Sequence, residues 1–252
     1  MPIILKGKVA LITGGTNGLG AAVARQLAGE GVNLILNYFQ SEERAQRLRE
    51  TLETEFGIKV KLLQGDAADK EVSRTLVQTA IEYFGRLDIV ISNAGWTKIV
   101  PFDNLDDLDD DIWDNCYSAN VKGHFFLYKS AKQYLEKNED GGTFIVSASV
   151  AGRMVYGSSI PYAVTKAALI HLVKILAKTH GPKVRVHAVC PGLLMTDWGK
   201  RFSPEKIERT VKLSPIDKLP DVEETASQYI LLSKLSTSTG TIVAMDGGIS
   251  IS

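Results

Sequence analysis

The fold is set near the start of the chain by KVALITGGTNGLGAAVARQL, residues 8–27. The stretch begins with a short apolar run that ends in glycine, which is typical of a buried strand. Gly14, Gly18 and Gly20 follow, and then a run of good helix formers. A strand, a glycine-rich turn and a helix in this order are the context in which a dinucleotide phosphate binds at a helix N-terminus. A glycine-rich turn without a ligand remains the alternative at this point.

Strand-like and helix-like segments alternate along the rest of the chain. The predicted strands lie at 8–13, 32–38, 58–64, 87–92, 143–149, 184–190 and 241–245. The predicted helices after the glycine turn lie at 41–56, 70–84, 112–136, 160–179 and 222–233, and Ser41 is predicted to cap the first of them. Because this alternation is typical of βα units, we predict an α/β fold with a Rossmann-type, doubly wound parallel sheet of about seven strands and helices on both faces. We expect a single dinucleotide-binding and catalytic domain over 1–252.

Residues 193–218 interrupt this alternation. The segment is rich in proline and carries the large side chains Trp198 and Phe202. A long insert above the carboxyl edge of a sheet is often a lid over a binding site, so we predict a substrate loop here. A passive surface excursion is the alternative.

The overall charge gives no electrostatic reason to expect nucleic acid or an anionic membrane as a partner, because 29 basic and 29 acidic side chains balance. No secretory signal and no apolar run of about 18 residues is evident, so we expect no membrane span and a cytoplasmic protein. Cys116 and Cys190 lie in apolar segments and are predicted to be reduced core residues. No metal site is expected, because the four histidines lack ligand spacing and the seven aspartates of 103–114 lack the pattern of a calcium loop.

The end of the second predicted strand bears on the choice of cofactor. A fold that binds NAD usually places Asp or Glu there to bind the ribose 2′-hydroxyl. Residues 37–41 contain no acid, and the first one is Glu42. A missing carboxylate removes repulsion against a 2′-phosphate, so NADP(H) is favoured over NAD(H). The chain has Asn17 and no cation in the glycine turn, and Arg44, one turn into the next helix, is the cation that could reach this place.

Tyr162 and Lys166 form a candidate catalytic pair. They are four residues apart on a predicted helix and therefore share a face. A free phenol has a pKa of about 10, and a nearby cation lowers it, so Lys166 could prepare Tyr162 for proton transfer. Ser149 ends a predicted strand 13 residues before Tyr162, at the sheet edge where such folds bind ligands. The alternative for the pair alone is an exposed aromatic ring beside a solvated lysine.

Two further polar residues are candidates, each with a structural alternative. Asn120 lies in the middle of an otherwise packed helix, where an amide is costly unless it is hydrogen-bonded. It could be a satisfied structural amide, or a kinked helix could present a carbonyl there to an active-site water. Asp66 follows a predicted strand and could accept from an adenine amino group, or cap the helix at 70–84.

Together these motifs resemble the short-chain dehydrogenase/reductase family. The matching motifs, in order and spacing, are Thr13-Gly14-x3-Gly18-x-Gly20, Asn93-Ala94-Gly95, Asn120, Ser149, Tyr162-x3-Lys166 and Pro191-Gly192. Asn37-Tyr38 and the stretch 245–248 are similar to the 3-oxoacyl-carrier-protein reductase-like branch of that family. Two departures are Asn17, where many NADP-using relatives carry Arg, and Ser92, where Asn is more usual.

The resemblance implies a role for each catalytic residue. Tyr162 is expected to give the proton to the carbonyl oxygen in reduction, or to take it in oxidation, and Ser149 to hydrogen-bond that oxygen. Lys166 is expected to hold the nicotinamide ribose and lower the pKa of Tyr162, and Asn120 to hold a water that links Lys166 to solvent. The residues implied to bind the cofactor are Gly14, Asn17, Gly18, Leu19, Gly20, Tyr38, Gln40, Ser41, Asp66, Ala67, Asn93, Gly95, Tyr162, Lys166, Pro191, Leu194 and Thr196. Tyr38, Gln40 and Ser41 match positions that meet the 2′-phosphate.

The implied function is hydride transfer between NADP(H) and a carbonyl or secondary alcohol. Large apolar side chains suggest a bulky or aromatic substrate, and the candidates for its pocket are Trp96, Met154, Tyr156, Met195, Trp198 and Phe202. The resemblance also implies a homotetramer or homodimer formed through the helices at 112–136 and 160–179. Two alternatives remain open: an NADP(H)-binding sensor or scaffold without turnover, and a non-redox biosynthetic step on the same fold.

Overall fold

A computed structural model, which describes residues 2–251, contains one parallel sheet of seven strands. The strands are β1 (Val9–Ile12), β2 (Asn33–Tyr38), β3 (Val60–Gln64), β4 (Ile89–Ser92), β5 (Gly142–Ser147), β6 (Val184–Pro191) and β7 (Ile242–Met245). The α-helices are α1 (Gly18–Gly29), α2 (Glu42–Phe56), α3 (Lys70–Phe84), α4 (Asp110–Tyr117), α5 (Gly123–Lys137), α6 (Ile160–Thr179), α7 (Pro204–Leu213) and α8 (Val222–Lys234).

The strand order explains where a ligand can bind. The order across the sheet is β3-β2-β1-β4-β5-β6-β7, so the chain runs outward from β1 to β3 and then returns beside β1 to start again at β4. Leu11 of β1 accordingly pairs with Ile35 on one side and Val90 on the other. This reversal opens a crevice at the carboxyl ends of β1 and β4, which is where open α/β sheets bind ligands. The predicted doubly wound parallel sheet is confirmed.

Both faces of the sheet are covered by helices. Val9 and Leu11 of β1 contribute to a core cluster with α3, α5 and α6, whereas Ala10 and Ile12 contribute to a second cluster with α1, α2 and α8. Successive side chains of a strand point to opposite faces. The strands therefore have to be apolar along their whole length, and this is why they appear in the sequence as continuous apolar runs.

The helix predicted over 112–136 is not continuous. α4 ends at Tyr117, a π-helical turn spans Ser118–Lys122, and α5 begins at Gly123. The backbone of the loop after β3 packs against this break, since a Cβ on Gly123 would lie 2.8 Å from the carbonyl oxygen of Ala67. One wide turn leaves the apolar residues at almost helical spacing, so periodicity alone could not reveal it.

The start of α2 also differs from the prediction of a serine cap. Ser41 occupies the cap position, but its φ is 63° and its side chain makes no capping hydrogen bond. A left-handed conformation is uncommon for a residue other than glycine and turns the Ser41 hydroxyl away from the helix N-terminus. The predicted cap is therefore wrong, although the predicted helix is present.

The insert at 193–218 contains regular structure. A 3₁₀ turn covers Gly199–Arg201, and α7 follows it. Ser203 caps α7 by accepting from the backbone N–H of Lys206 at 3.3 Å, and Pro204 occupies the first helical turn. Both are common start signals of a helix, and they make the insert a small helical arm above the sheet edge.

One helix within residues 2–251, α6, is long and apolar enough to cross a membrane by length and composition, with a mean hydropathy of 1.4. We expected no such segment from the sequence. Leu169, Val173 and Leu176 of α6 are buried in the core cluster beside α5. A buried core helix meets the same test, and packing accounts for the apolar composition of α6.

The two cysteines of the chain lie in the core. Cys116 and Cys190 are both buried and unpaired, as predicted for core residues. Burial raises the pKa of each thiol to about 11, so both stay protonated near neutral pH. Across the part of the chain that the structure describes, no group of three or more His, Cys, Asp or Glu side chains is arranged to hold a metal ion.

Candidate active site

The glycine turn after β1 allows a ligand to approach the backbone closely. Gly14 and Gly18 have φ values of 58° and 49°, which favour glycine. At Gly20 a Cβ would lie 2.2 Å from the carbonyl oxygen of Gly14, so a larger residue does not fit without a backbone shift. Asn17 caps α1, and its Oδ1 accepts from the N–H of Gly18 at 2.9 Å. A glycine-rich turn at a helix N-terminus fits the pyrophosphate of a dinucleotide.

Asn93, at the end of β4, holds this turn in place. Its Nδ2 donates to the carbonyl oxygens of Thr13 at 3.1 Å and Gly14 at 3.3 Å. Its Oδ1 accepts from the Ser147 hydroxyl at 2.9 Å. The side chain of Asn93 therefore connects three neighbouring strands, and it also forms part of the lining of the cleft.

Tyr162, Lys166 and Ser149 converge at the carboxyl ends of β5 and β6. Lys166 is 3% exposed, and its Nζ donates to the carbonyl oxygen of Ser147 at 2.8 Å. The same Nζ lies 5.6 Å from the centroid of the Tyr162 ring. Ser149 lies at the start of a 3₁₀ turn, where its hydroxyl accepts from the N–H of Ala151 at 3.1 Å. The structure thus brings the three predicted catalytic side chains to one place.

Burial decides the protonation of this group. Burial raises the pKa of Tyr162 to about 12, against a smaller lowering by the Ser149 hydroxyl. Burial also lowers the pKa of Lys166 to about 8. The net shift of the Tyr162 pKa is opposite to the expected lowering, because loss of solvent is its largest cause. Both shifts favour the neutral forms of the two side chains.

Asn120 lies in the π-helical turn and is fully buried. Its Oδ1 accepts from the N–H of Trp96 at 2.9 Å, and its Nδ2 donates to the Trp96 carbonyl at 2.9 Å and to the Thr165 hydroxyl at 3.2 Å. Gly95 is required beside it, since a Cβ there would lie 3.0 Å from Asn120 Oδ1 and 3.5 Å from Lys166 Nζ. The side chain of Asn120 therefore matches the structural-amide alternative. The role of its main-chain carbonyl stays a prediction.

The polar residues near the adenosine end of the crevice have mainly structural partners. Asn37 Nδ2 donates to the Gly65 carbonyl at 2.9 Å, and Asn37 Oδ1 accepts from the N–H of Gly14 at 3.3 Å. Asp66 Oδ1 accepts from the N–H of Ala68 at 2.9 Å, which leaves its other oxygen for a ligand. The cap of α3 is Asp69 and not Asp66, so that alternative for Asp66 is wrong.

Tyr38 does not face the crevice as expected. It is 6% exposed, whereas Phe39 is 61% exposed and lines the crevice. The cause is strand alternation, which turns neighbouring side chains to opposite sides and buries Tyr38 at the end of β2. Gln40 and Ser41 lie exposed at the tip of the following loop.

The crevice has two connected parts. The catalytic cleft is the part lined by twelve of the predicted residues, namely Gly14, Asn17, Gly18, Leu19, Asn93, Gly95, Ser149, Tyr162, Lys166, Pro191, Leu194 and Thr196. The inner cleft shares Gly14 and Gly95 with it and adds the predicted Asp66 and Ala67. Thr13, Asn37 and Phe39 also line the crevice and were missed as contacts. A strand-end position next to the glycine turn was the signal that could have identified Thr13.

The wall of the catalytic cleft is aromatic. Tyr156, Trp198 and Phe202 line it, and the Trp198 ring centroid lies 6.1 Å from that of Tyr162. Of the other pocket candidates, Trp96 lines the inner cleft and Met195 lies outside both parts. Met154 is not among the lining residues of these clefts, so the predicted pocket set is correct only in part.

The helical arm is fastened to this wall by a few side chains. The Tyr156 hydroxyl shares a hydrogen bond of 2.7 Å with the Thr210 hydroxyl on α7. Lys206 Nζ lies 4.5 Å from the centroid of the Tyr156 ring, within range of a cation–π contact. The arm thus packs against the part of the wall that Tyr156 forms.

The fold and the site point to a class of protein: an enzyme whose glycine turn is suited to a dinucleotide and whose Tyr, Lys and Ser side chains lie beside that turn. The family model for short chain dehydrogenases matches residues 8–207. The chain therefore belongs to the short-chain dehydrogenase/reductase family and is an oxidoreductase that acts on CH–OH or C=O groups.

Individual relatives cover almost the whole chain. The granaticin polyketide synthase putative ketoacyl reductase 2 of Streptomyces violaceoruber is 33% identical over 242 residues, which are 95% of each chain. Versicolorin reductase stcU of Emericella nidulans is 32% identical over 260 residues, covering 97% of this chain and 96% of that protein. The crystal structure of a short-chain dehydrogenase from Burkholderia cenocepacia in complex with NADP matches with a TM-score of 0.90 and 31% identity, over 98% of this chain and 99% of that one.

Proposed function

We propose that this protein is an NADP(H)-dependent carbonyl reductase in which Tyr162 supplies the proton to a bulky, aromatic ketone. The observation that carries the proposal is the meeting of Tyr162, Ser149 and Lys166 in the cleft that also holds the glycine turn. A sensor or scaffold would not need a buried lysine beside a tyrosine, because a buried ammonium group is costly to maintain.

The catalytic residues have separate tasks in this proposal. The hydroxyl groups of Ser149 and Tyr162 bind the substrate oxygen and orient the carbonyl. The phenol of Tyr162 gives its proton to that oxygen during reduction, since its pKa of about 12 keeps it protonated near neutral pH. The nicotinamide, when bound, supplies the hydride that reduces the carbonyl carbon.

Lys166 positions the reaction and replaces the proton. Its Nζ is held by the Ser147 carbonyl on the floor of the cleft, where it can reach the nicotinamide ribose. Its lowered pKa of about 8 allows it to exchange a proton near neutral pH. The main-chain carbonyl of Asn120 in the π-helical turn is proposed to hold the water that connects Lys166 to solvent.

Two observations support the choice of NADP(H). Residues 37–41 contain no carboxylate that would repel a 2′-phosphate. The Burkholderia cenocepacia relative was crystallised with NADP. NADP(H) is therefore the proposed cofactor over NAD(H), with Asp66 and Ala67 at its adenine.

The aromatic wall supports the choice of substrate. Tyr156, Trp198 and Phe202 offer flat apolar surfaces, and aromatic rings prefer offset or edge contacts with other rings. The names of the two relatives, a polyketide synthase ketoacyl reductase and a versicolorin reductase, also point to ketones of polyketide origin.

We further propose a homodimer or homotetramer in a reducing compartment such as the cytoplasm. Apolar side chains remain about two-fifths exposed on α4, α5 and α6, namely Tyr117 at 38%, Phe125 at 40% and Val164 at 42%. A second copy of the same helices would cover them. The two unpaired cysteines fit a reducing environment.

The decisive experiment follows the absorbance of the reduced nicotinamide with a panel of aromatic ketones, for the wild-type protein and Tyr162→Phe. We expect turnover by the wild-type protein and a loss of about a thousandfold in Tyr162→Phe, with cofactor affinity retained, because the phenol acts only on the reacting oxygen. Tight cofactor binding without turnover of any carbonyl would favour a sensor, and near wild-type turnover by Tyr162→Phe would exclude Tyr162 as the proton donor.

A further inference from the structure

The carboxylate of Asp197 ties the start of the helical arm to the cofactor side of the crevice. Its Oδ2 accepts from Asn17 Nδ2 and from Arg44 Nη1, each at 3.1 Å. The two donors come from the glycine turn and from the first turn of α2, so they are distant in sequence from Asp197. An amide and a guanidinium group thus converge on one anionic oxygen.

Another anion can replace the carboxylate of Asp197 in its ion pair with Arg44. The side chains of Arg44 and Asp197 are 45% and 58% exposed. Exposed ion pairs contribute little to stability, so another anion can take the place of the carboxylate. A phosphate group is the stronger competitor, because it carries more charge than a carboxylate and has three acceptor oxygens.

The surroundings favour an anion at this place. A shallow outer cleft beside the glycine turn is lined by four cations, Arg25, Arg44, Arg47 and Lys200, and by Asp197. One of the cations, Arg47, is already paired with Glu43 at 3.3 Å. Asn17, Gly18 and Thr196 line both the outer cleft and the catalytic cleft, so the two are continuous. A phosphate group of a cofactor that binds at the glycine turn can therefore reach Arg44.

We propose that Arg44 selects the 2′-phosphate of NADP(H), and that Asp197 occupies the place of that phosphate on Arg44 and Asn17 until the cofactor binds. This inference rests on the proposed cofactor preference. Asp197 acts as a positioning residue, since it keeps both donors aimed at one point.

The exchange also connects the two ends of the crevice. Asp197 stands between Thr196, which lines the catalytic cleft, and Trp198, whose ring lies beside that of Tyr162. When the phosphate takes Arg44, the carboxylate loses its partner and the arm is released from α2. Cofactor loading thereby alters the aromatic wall before the substrate enters.

The test is a fluorescence titration of NADPH and NADH, without substrate, against the wild-type protein, Arg44→Gln and Asp197→Asn. Arg44→Gln should weaken NADPH binding about tenfold and leave NADH binding within about twofold, because one charge-assisted hydrogen bond to the phosphate is lost. Asp197→Asn should tighten NADPH binding about threefold or more, because the competing charge is removed. The matched control is Arg49→Gln, on the same helix but outside the lining of the outer cleft, which should leave both affinities unchanged.

The outcomes separate this inference from the proposed function. If the wild-type protein prefers NADPH and Arg44→Gln keeps that preference, Arg44 does not select the phosphate and the inference is overturned. Equal loss of NADPH and NADH affinity in Arg44→Gln would show a general structural role and overturn it as well. If the wild-type protein shows no preference but Asp197→Asn acquires one for NADPH, the exchange is supported and only the proposed cofactor preference fails.

Discussion

The floor and the wall of the catalytic cleft are built in different ways. The floor consists of Thr13, Gly14 and Asn93, and its polar groups are bonded to one another and to the backbone of neighbouring strands. The wall consists of Tyr156, Trp198 and Phe202, and a few side-chain contacts, such as the hydrogen bond between Tyr156 and Thr210, fasten it to the rest of the molecule. A network of hydrogen bonds between neighbouring strands is hard to open, whereas a few isolated side-chain contacts are easier to exchange. The floor is thus suited to hold the constant cofactor, and the wall can adapt to the substrate.

Gly20→Ala should break the floor and give the largest change in stability. The new Cβ would lie 2.2 Å from the carbonyl oxygen of Gly14, which cannot move without disturbing the turn. We expect a loss of about 3 kcal/mol in the free energy of unfolding, together with loss of cofactor binding. Urea denaturation and a cofactor titration measure the two effects.

Gly29→Ala on the same helix is the matched control. Its Cβ would meet Phe56 at 3.7 Å, an ordinary contact. Its effect on stability should stay within about 0.5 kcal/mol. Equal losses in the two variants would show that the glycine turn has no special tightness.

Lys166 lies where the floor and the wall of the catalytic cleft meet. Lys166→Met should lower turnover and at the same time raise the stability of the fold. The pKa of Lys166 is lowered from 10.5 to about 8, which means that the folded protein resists the ammonium form. We expect turnover to be lost while the cofactor-free protein is stabilised by about 1–2 kcal/mol, because the buried charge is removed at the expense of one hydrogen bond to Ser147.

The stability gain of Lys166→Met should depend on pH. Below a pH of about 8 the lysine is charged in both the folded and the unfolded protein, so the full gain is present. Between about 8 and 10.5 the unfolded chain holds the proton and the folded one does not, so the wild-type protein recovers stability as the pH rises. The test is thermal unfolding of both proteins across this pH range. A stability difference that stayed constant with pH would refute the lowered pKa of Lys166.

Thr210→Val should loosen the wall and give the smallest effect. It removes the hydrogen bond to the Tyr156 hydroxyl and leaves the shape of the side chain almost unchanged. We expect a loss of about 1 kcal/mol in stability and a rise of a few fold in KM for an aromatic ketone, with cofactor affinity unchanged. Steady-state kinetics test this, and a weaker cofactor affinity would contradict the separation of wall from floor.

The sequence was sufficient to predict the order of the strands and of most helices, and it missed the break at Ser118–Lys122 and helix α7. Strand alternation, the glycine turn at 14–20 and the spacing of Ser149, Tyr162 and Lys166 are local signals, and each produced a correct position in the fold. Tyr38 and Asn120 show where such signals end. Strand alternation turns Tyr38 and Phe39 to opposite sides, but which of the two sides faces the crevice depends on how the sheet is packed. The partners of Asn120 lie 24 and 45 residues away.

The sequence by itself determined the doubly wound sheet, the glycine turn and the candidate catalytic side chains, because these follow from periodicity, from glycine conformation and from short spacings. Only the tertiary structure decided the direction of the Tyr162 and Lys166 pKa shifts, the break in the helix at Asn120 and the meeting of Asp197 with Arg44 across 153 positions. Desolvation and long-range contact depend on what surrounds a group in the folded protein, and the sequence of residues 8–27 contains no information about these surroundings.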